Sequence, residues 1–531
     1  MRNADAMLRA WTARGVPLAA LALALALGRA APSLASPLQY LPVGDPLEDE
    51  IRALDILGPA DGHALRLPRT GMRPLQLFEI DSLPGPEDVS DIAHRLSLAR
   101  IRRVLGRESD LASPGGAGGG STPRLYQRRY GDGARFEIST GLEGSGTVAA
   151  NRLRFNSGAG AHGRIALETD RWLAFTHLVA GYQDTARTYA DPLFPKTNLI
   201  MYSDETYLGY TGRGGRWGMQ FGRGRWQWGP GDEAGLLLSK ASVAITALAF
   251  HARLEPLHAD GTAIAATLKT AAGEQMAAHR LEWQPRDGLR IGVDEAARYK
   301  SAAWQPLYLM GVLPYIVVQR LQDQDEPEGR IANRNNVMAG ADVAWRVVPG
   351  LRVYGEWLAD DIHLIRRPEF PNKYAYQLGL EGVATLRDTR LVWDTEFTRV
   401  TRYVYTSAFG RDFVAQGVSL GYPFAPDAQR FRATARWDLT EAWQVTAGAS
   451  DTKKGENTLD EPFVQGSPVP TTPFEGVVER TRAIDCGGRW WPSSGVDVNL
   501  SATYRWIDGA GHVAGARRRE PGASFSLRLV R

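Results

Sequence analysis

The sequence predicts an all-β chain: a transmembrane antiparallel β-barrel behind a small N-terminal α-helical region. Three observations predict it. From about Arg124 to the end, apolar and polar residues alternate with period two. Many of these segments run ten residues or more, and their polar faces are charged, which suits a wet lumen better than a soluble core. Aromatic residues gather toward segment ends, as Tyr374 and Tyr376, Trp490 and Trp491, or Tyr504 and Trp506, where an aromatic girdle is expected.

Composition excludes several alternatives. The 531 residues are 44% hydrophobic and 23% charged, too apolar for a disordered chain. After residue 35 no stretch of about 18 uncharged apolar residues occurs, which excludes a bundle of membrane helices. A single cysteine leaves no disulfide framework and no cysteine-rich zinc site. Of the +3 net charge, all lies in residues 1–35, with Arg2, Arg9, Arg14 and Arg29 against Asp5; the remainder holds 58 charges of each sign. A balanced chain without a basic block gives no support for nucleic-acid binding.

Residues 1–35 read as a secretory signal peptide. A basic start is followed by an apolar core from Val16 to Leu27 and the small-x-small site Ser33-Leu34-Ala35. Residues 36–112 are expected to form a helical region. Asp45-Pro46-Leu47-Glu48 is a helix start, Leu47, Ile51 and Leu54 recur at helical spacing, and Gly58 is a stop. A second helix is expected from about Pro86 to Leu105, acidic at its start, basic at its end and closed by Gly106. Two helices this short need something to pack on. Residues 113–123 are a Gly-rich linker.

The barrel then occupies 124–531. Strands are expected around 215–223, 337–346, 350–358, 373–381, 391–399, 430–439, 496–506 and 523–530. Tyr374, Tyr376, Leu378 and Leu380 should face lipid, whereas Arg430, Arg432, Arg436, Asp394, Glu396, Asp497 and Arg505 should face the lumen. At about ten residues per strand the length accommodates roughly 14–20 strands. Cys486 shares parity with Ile484 and should face lipid. The apolar run Leu307–Val318, interrupted by Pro314, could be a hairpin or an inward fold.

Residues 222–239 are more specific. They read Gly222-Arg223-Gly224-Arg225-Trp226-Gln227-Trp228-Gly229-Pro230-Gly231, then Asp-Glu-Ala-Gly-Leu-Leu-Leu-Ser. This stretch resembles the signature of the capsule assembly Wzi family, and Tyr182–Tyr210, Asn335–Asp342 and Pro371–Leu380 are similar to other parts of it. The resemblance implies an 18-stranded outer-membrane barrel with a periplasmic helical element that holds capsular polysaccharide at the cell surface, as a lectin and not an enzyme. Two departures stand out: the last strand lacks a terminal aromatic, and the Gly-rich linker could seat the helices differently. Physically, Gly229-Pro230-Gly231 suits a tight turn, with Pro fixing φ and Gly231 accepting a positive φ. That turn is either a loop folded into the lumen, constricting it or touching sugar, or a structural turn pinning two strands.

Polysaccharide recognition calls for aromatic faces and for Arg, Lys or acidic groups that meet hydroxyls and charged sugars. The candidates are Arg366, Arg367, Phe370 and Lys373 in loop 361–373, and Tyr403, Tyr405 and Arg411 in loop 400–412; each loop could equally be a solvated one. Asp394 with Glu396, or Asp360 with Asp361, could be paired carboxylates for acid–base work or members of ion-pair networks. The histidines are scattered, and no metal-binding, nucleophile-elbow or phosphate-loop motif appears. The expectation is therefore a monomeric binding protein without cofactor, whose partners are surface polysaccharide and outer-membrane lipid. The alternative is a porin, which requires an open lumen.

Overall fold

The computed structural model describes residues 38–109 apart from short stretches between 62 and 82, and then 126–130, 134–149, 154–183, 199–325, 335–361, 369–493 and 496–530. The expected signal peptide, the Gly-rich linker, Arg366 and Arg367 lie outside the described residues.

Among the described residues, eighteen antiparallel strands close a barrel. In chain order they are β1 Arg135–Ala149, β2 Arg154–Glu168, β3 Trp172–Gln183, β4 Leu199–Thr211, β5 Trp217–Gly224, β6 Ile245–Leu254, β7 Ala259–Lys269, β8 Glu274–Arg286, β9 Leu289–Lys300, β10 Asn336–Val348, β11 Leu351–Asp361, β12 Lys373–Leu386, β13 Thr389–Val400, β14 Ala428–Asp438, β15 Trp443–Lys454, β16 Glu479–Ser493, β17 Val496–Asp508 and β18 Arg517–Val530. Each pairs with its sequence neighbour, and β18 closes on β1 from Gly522↔Ala149 to Val530↔Gly141. A short strand, Tyr126–Arg129, pairs with the start of β1 below the end of β18.

Alternation assigns the two faces as the sequence predicts. On β12, Leu378 is 56% exposed to the outside while its neighbour Gln377 is fully buried in the lumen. Phe431 and Trp437 on β14, Ile484 and Cys486 on β16 and Leu500 on β17 are likewise exposed. At one end the strands are joined by short turns, such as 287–288, 349–350, 387–388 and 439–442. Trp217, Trp283, Trp345, Trp437, Trp443 and Trp490 are exposed close to those turns, forming one girdle. At the other end are long connections, including 225–244, 301–335, 401–427 and 455–478. Short turns are the periplasmic signature of such barrels and long loops the extracellular one.

Helix α1 (Pro46–Leu57) closes the periplasmic end. Asp45 caps it by accepting from the Leu47 N–H at 2.9 Å, Pro46 opens it and Gly58 ends it with φ +87, as the sequence predicts. The second helix differs from expectation. Pro86–Asp88 is a separate 3₁₀ turn, and α2 runs Ile92–Ser109. Asp91 starts it by accepting from His94 N–H at 3.0 Å, so the local acid nearest the apolar stripe, not Pro86, provides the cap. Gly106 lies inside the helix. The two helices pack Leu47, Ile51 and Leu54 against Leu98 and Ile101.

What they pack on is the barrel interior. Asp55 accepts from Arg290 at 2.5 Å and Arg352 at 2.7 Å. Glu50 accepts from Arg390 at 2.7 Å and Arg100 at 3.0 Å, and Arg100 also reaches Asp438 at 2.6 Å. Burial alone would raise the Glu50 carboxyl, but Arg390 and Arg100 overcome it and hold it at about 2. Burial acts on Asp55 in the same sense, and Arg290 and Arg352 lower it.

Candidate functional site

The signature segment enters the lumen. β5 ends at Gly224, and Gln227–Trp228 then forms a two-residue strand with Met72–Arg73, Met72 opposite Trp228. Trp226, Trp228, Ala234 and Leu236–Leu238 are buried in the largest apolar cluster, against Ile264, Met276, Ala296, Met338 and Leu358 from the inner wall. This supports the inserted-loop alternative: the turn crosses the lumen.

The turn chemistry needs one correction. Gly229, before the proline, takes the left-handed backbone with φ +93, and Gly231 does not. A Cβ at Gly229 would collide with the Glu356 carboxylate, and one at Gly231 with Gln377 and the Ala234 carbonyl. Both glycines are therefore required by close approach, but only the first by its backbone angle. Gly222, at the end of β5, also has a positive φ, +146.

Polar groups of the wall hold the loop. Glu356 accepts from Leu236 N–H at 2.7 Å, and Glu396 from Asp232 N–H at 3.1 Å. Arg432 donates to Asp232 at 3.0 Å, and Arg430 to Glu233 at 2.9 Å. The inward arginines expected on β14 thus face the lumen, and their partners include Asp232 and Glu233 of the signature stretch. Asp394 binds Thr434 and Arg432, and Glu396 accepts from Tyr354 at 2.5 Å. These carboxylates sit in bonded networks. Arg223 donates to Ser203 O at 2.8 Å and Arg225 to Asp204 at 2.7 Å, tying the start of the signature to β4.

The connection 401–427 folds inward above this loop. Tyr405 is fully buried, donates its hydroxyl to Leu236 O, accepts there from Tyr422 N–H at 3.1 Å and stacks on Phe413 at 5.9 Å. Tyr405, proposed from sequence as a sugar contact, is therefore placed in the packed interior. Burial raises its hydroxyl pKa. Lys373 also turns inward, 3.3 Å from Asp361 and 3.9 Å from Asp360, and donates to Thr406 O at 3.1 Å. Arg411 donates to Phe409 O at 3.3 Å within its own turn.

At the extracellular rim the structure brings together residues that the sequence placed in separate loops. Phe463, on 455–478, meets Tyr403 edge-on at 5.5 Å and Phe370 at 6.2 Å. Beside Tyr403 and Phe463 is a cavity of about 380 Å³, lined also by Glu456, Asn457, Glu461 and Glu475. Tyr403 holds φ +65, and Asn457 Oδ1 accepts from its N–H at 2.9 Å, which aims the ring at Phe463. Burial, reinforced by Glu475, raises the Tyr403 hydroxyl. Sequence reading missed Phe463 and its carboxylates. The only signal available was an aromatic residue in a Pro- and Gly-rich polar loop. It also read the histidines as scattered, yet the β2–β3 register places His162 Nδ1 3.1 Å from His177 Nε2 inside the lumen. Among the described residues no group of histidine, cysteine and acidic side chains could hold a metal ion.

Known proteins place this architecture. A barrel from Escherichia coli, described as Wzi, an outer-membrane protein involved in group 1 capsule assembly and a carbohydrate-binding β-barrel, superposes with a TM-score of 0.63 at 14% identity, covering 92% of this chain and 99% of that one. Pseudomonas aeruginosa OccD3 gives a TM-score of 0.45 at 10% identity, over 79% of this chain and 95% of its own. No match was found among curated proteins. The family model for capsule assembly protein Wzi matches residues 128–519, nearly the whole barrel, and the chain therefore belongs to the Wzi capsule assembly family of outer-membrane barrels.

Proposed function

We propose that this protein holds surface polysaccharide at the extracellular rim of its barrel, as a monomeric binding protein that leaves the glycan chemically unchanged. The observation that carries this reading is the cavity beside Tyr403 and Phe463. Aromatic rings offer flat apolar faces to the C–H faces of sugars, and Glu456 and Glu461 offer acceptors to hydroxyls. The E. coli relative's description as a carbohydrate-binding barrel supports it. The porin alternative requires an open lumen, whereas here the signature loop, connection 401–427 and helix α1 enter it, leaving beside them a cavity of about 580 Å³ lined by His162, Arg164, Asp204 and Asp497.

The test is co-sedimentation of the purified protein with capsular polysaccharide, using the wild type and a Tyr403→Ala/Phe463→Ala variant. Loss of binding with unchanged polysaccharide chain length supports the reading. Equal binding by both proteins refutes the site, and shortened polysaccharide refutes the non-catalytic role. High conductance of the wild type in planar bilayers would favour the porin.

A further inference from the structure

The apolar stretch 306–318 contains no charged residue, and it lies outside the barrel. After β9, Trp304 meets Phe221, an outward residue of β5, at 6.4 Å and donates to Thr267 Oγ1 at 3.2 Å. Helices α3 (Pro306–Leu309) and α4 (Tyr315–Asp325) then form a hairpin against the outer wall. Tyr308 stacks on Tyr299 of β9 at 4.5 Å. Tyr315 donates its N–H to Glu295 at 2.7 Å, with its ring 4.4 Å from His279. At the bend, Gly311 has φ +61, and a Cβ there would come within 2.7 Å of the Ala263 side chain.

Parity shows which side of the wall this is. Ala263, Ala277, His279, Glu295 and Ala297 alternate with Ile264, Ala278 and Ala296, which belong to the lumen core. The same outward row continues downward to Leu281, Trp283 and Val293, all exposed. From Trp283, in the periplasmic-side girdle, His279 is four residues up the strand. That is about 13 Å along a strand and about 10 Å in height at a tilt near 40°. The apolar band of such barrels is about 25 Å tall, so the hairpin reaches into it.

We propose that this hairpin is immersed in the outer leaflet, with its free face against lipid acyl chains. That face is Leu309, Met310, Val312, Ile316 and Val317, of which Val312 is 77% exposed, and it is continuous with the lipid-facing wall. The hairpin also covers His279 and Glu295, 3.4 Å apart, two polar side chains that bare lipid would disfavour. The irregular backbone at Gly311 lies against Ala263 of the wall, and non-helical backbone at membrane depth is tolerated where protein buries it. Beyond Val318 the helix becomes polar, with Gln319, Arg320, Gln322 and Gln324, as expected where it leaves the acyl region.

Nitroxide labels test this in the full-length Cys486→Ser protein, folded by heat-modifiable migration and reconstituted in phosphatidylcholine bilayers. Labels would be placed at Met310→Cys, Val312→Cys and Ile316→Cys, with Leu281→Cys as the lipid reference and Arg320→Cys as the water reference. The expected oxygen-to-nickel accessibility ratio at the three hairpin sites matches Leu281 and exceeds Arg320 by about tenfold or more, since a charged reagent is excluded from hydrocarbon. Ratios equal to Arg320 would place the hairpin in water and overturn the proposal. Low accessibility to both reagents would place a second protein copy on it and overturn it equally. Any two of the three sites that fold decide the outcome.

Discussion

Arg52 Nη2 lies 2.5 Å from the carbonyl oxygen of Pro230, and Arg52 Nε lies 2.6 Å from Glu381. One guanidinium on the periplasmic helix thus grips both the apex of the signature loop and the barrel wall. Burial disfavours its charge, but Glu381 and Asp232 outweigh this and raise its pKa. Arg52→Ala would leave Glu381 with one fewer partner and the Pro230 carbonyl open, at a cost of about 3–5 kcal/mol. Because the strands keep their pairing, the expected outcome is a folded barrel with a loosened plug. Planar-bilayer recordings should show higher conductance for Arg52→Ala than for wild type. Unchanged conductance with unchanged protease resistance would show that the contact is dispensable.

The same helix sets a pH dependence. Glu50 and Asp55 have folded-state pKa values below their unfolded ones. Their contribution is therefore present above about pH 4, the ordinary carboxyl range, and is lost as pH falls toward 2. For Glu50 the loss is on the order of 3 kcal/mol. Limited proteolysis of the 38–109 region should be slow at neutral pH and accelerate between about pH 4 and pH 2, while heat-modifiable migration of the barrel persists. Acceleration on raising the pH from neutrality instead would contradict the sign.

Gly229→Ala should be worse than an ordinary loop substitution. It places a Cβ on a left-handed backbone and drives it into Glu356, which also holds the Leu236 N–H. The strain alone is about 1–2 kcal/mol. We expect a lowered thermal transition and raised conductance. A Gly410→Ala control is also at positive φ, but a Cβ there would meet nothing within 4 Å, so it separates backbone strain from collision. Equal effects of the two would remove the collision from the explanation.

The barrel was legible because alternation is a local property. Leu378 and Gln377 announce opposite faces without knowledge of any other strand. Helix α1 was legible because Asp45, Pro46 and Gly58 are local too. Elements that depend on distant partners were not. Gly229 is pressed against Glu356 and Gly231 against Gln377, each more than a hundred residues away. Tyr405 and Tyr403 look alike in sequence, two residues apart in one loop. Only the folded connection buries the first on Leu236 and turns the second toward Phe463. The run 306–318 reads as apolar in sequence, but nothing local tells an inner wall from an outer one.

Face assignment gives a membrane-insertion prediction. Leu500 is 56% exposed on the lipid side of β17, whereas Arg505 shares the lumen-facing parity of Asp497, which pairs with Arg489 at 2.9 Å. An arginine on the lipid face near mid-bilayer costs about 2–4 kcal/mol. Leu500→Arg should therefore cut the yield of barrel refolded into lipid vesicles, and Arg505→Leu should leave it near wild type. Equal yields would invalidate the face assignment for β17.

Salt dependence distinguishes the glycans that the rim cavity suits. Glu456, Glu461 and Glu475 line it together with Tyr403 and Phe463, while Lys373 points instead at Asp360 and Asp361. A glycan seated there meets aromatic surface and carboxylates. An acidic polysaccharide would be repelled at low ionic strength, because exposed like charges interact over about 10 Å at 0.1 M salt and only about 3 Å at 1 M. A neutral one would bind through stacking and hydroxyl hydrogen bonds, which salt barely alters. We therefore expect retention of a neutral polysaccharide to be flat between low and high salt and to fall on Phe463→Ala. Retention of a uronic-acid polysaccharide at this cavity should instead rise with salt. Co-sedimentation across a salt series measures both. Strong retention of acidic chains at low salt that vanishes at 1 M would place binding on basic groups elsewhere on the rim and rule out the carboxylate-lined cavity as the contact.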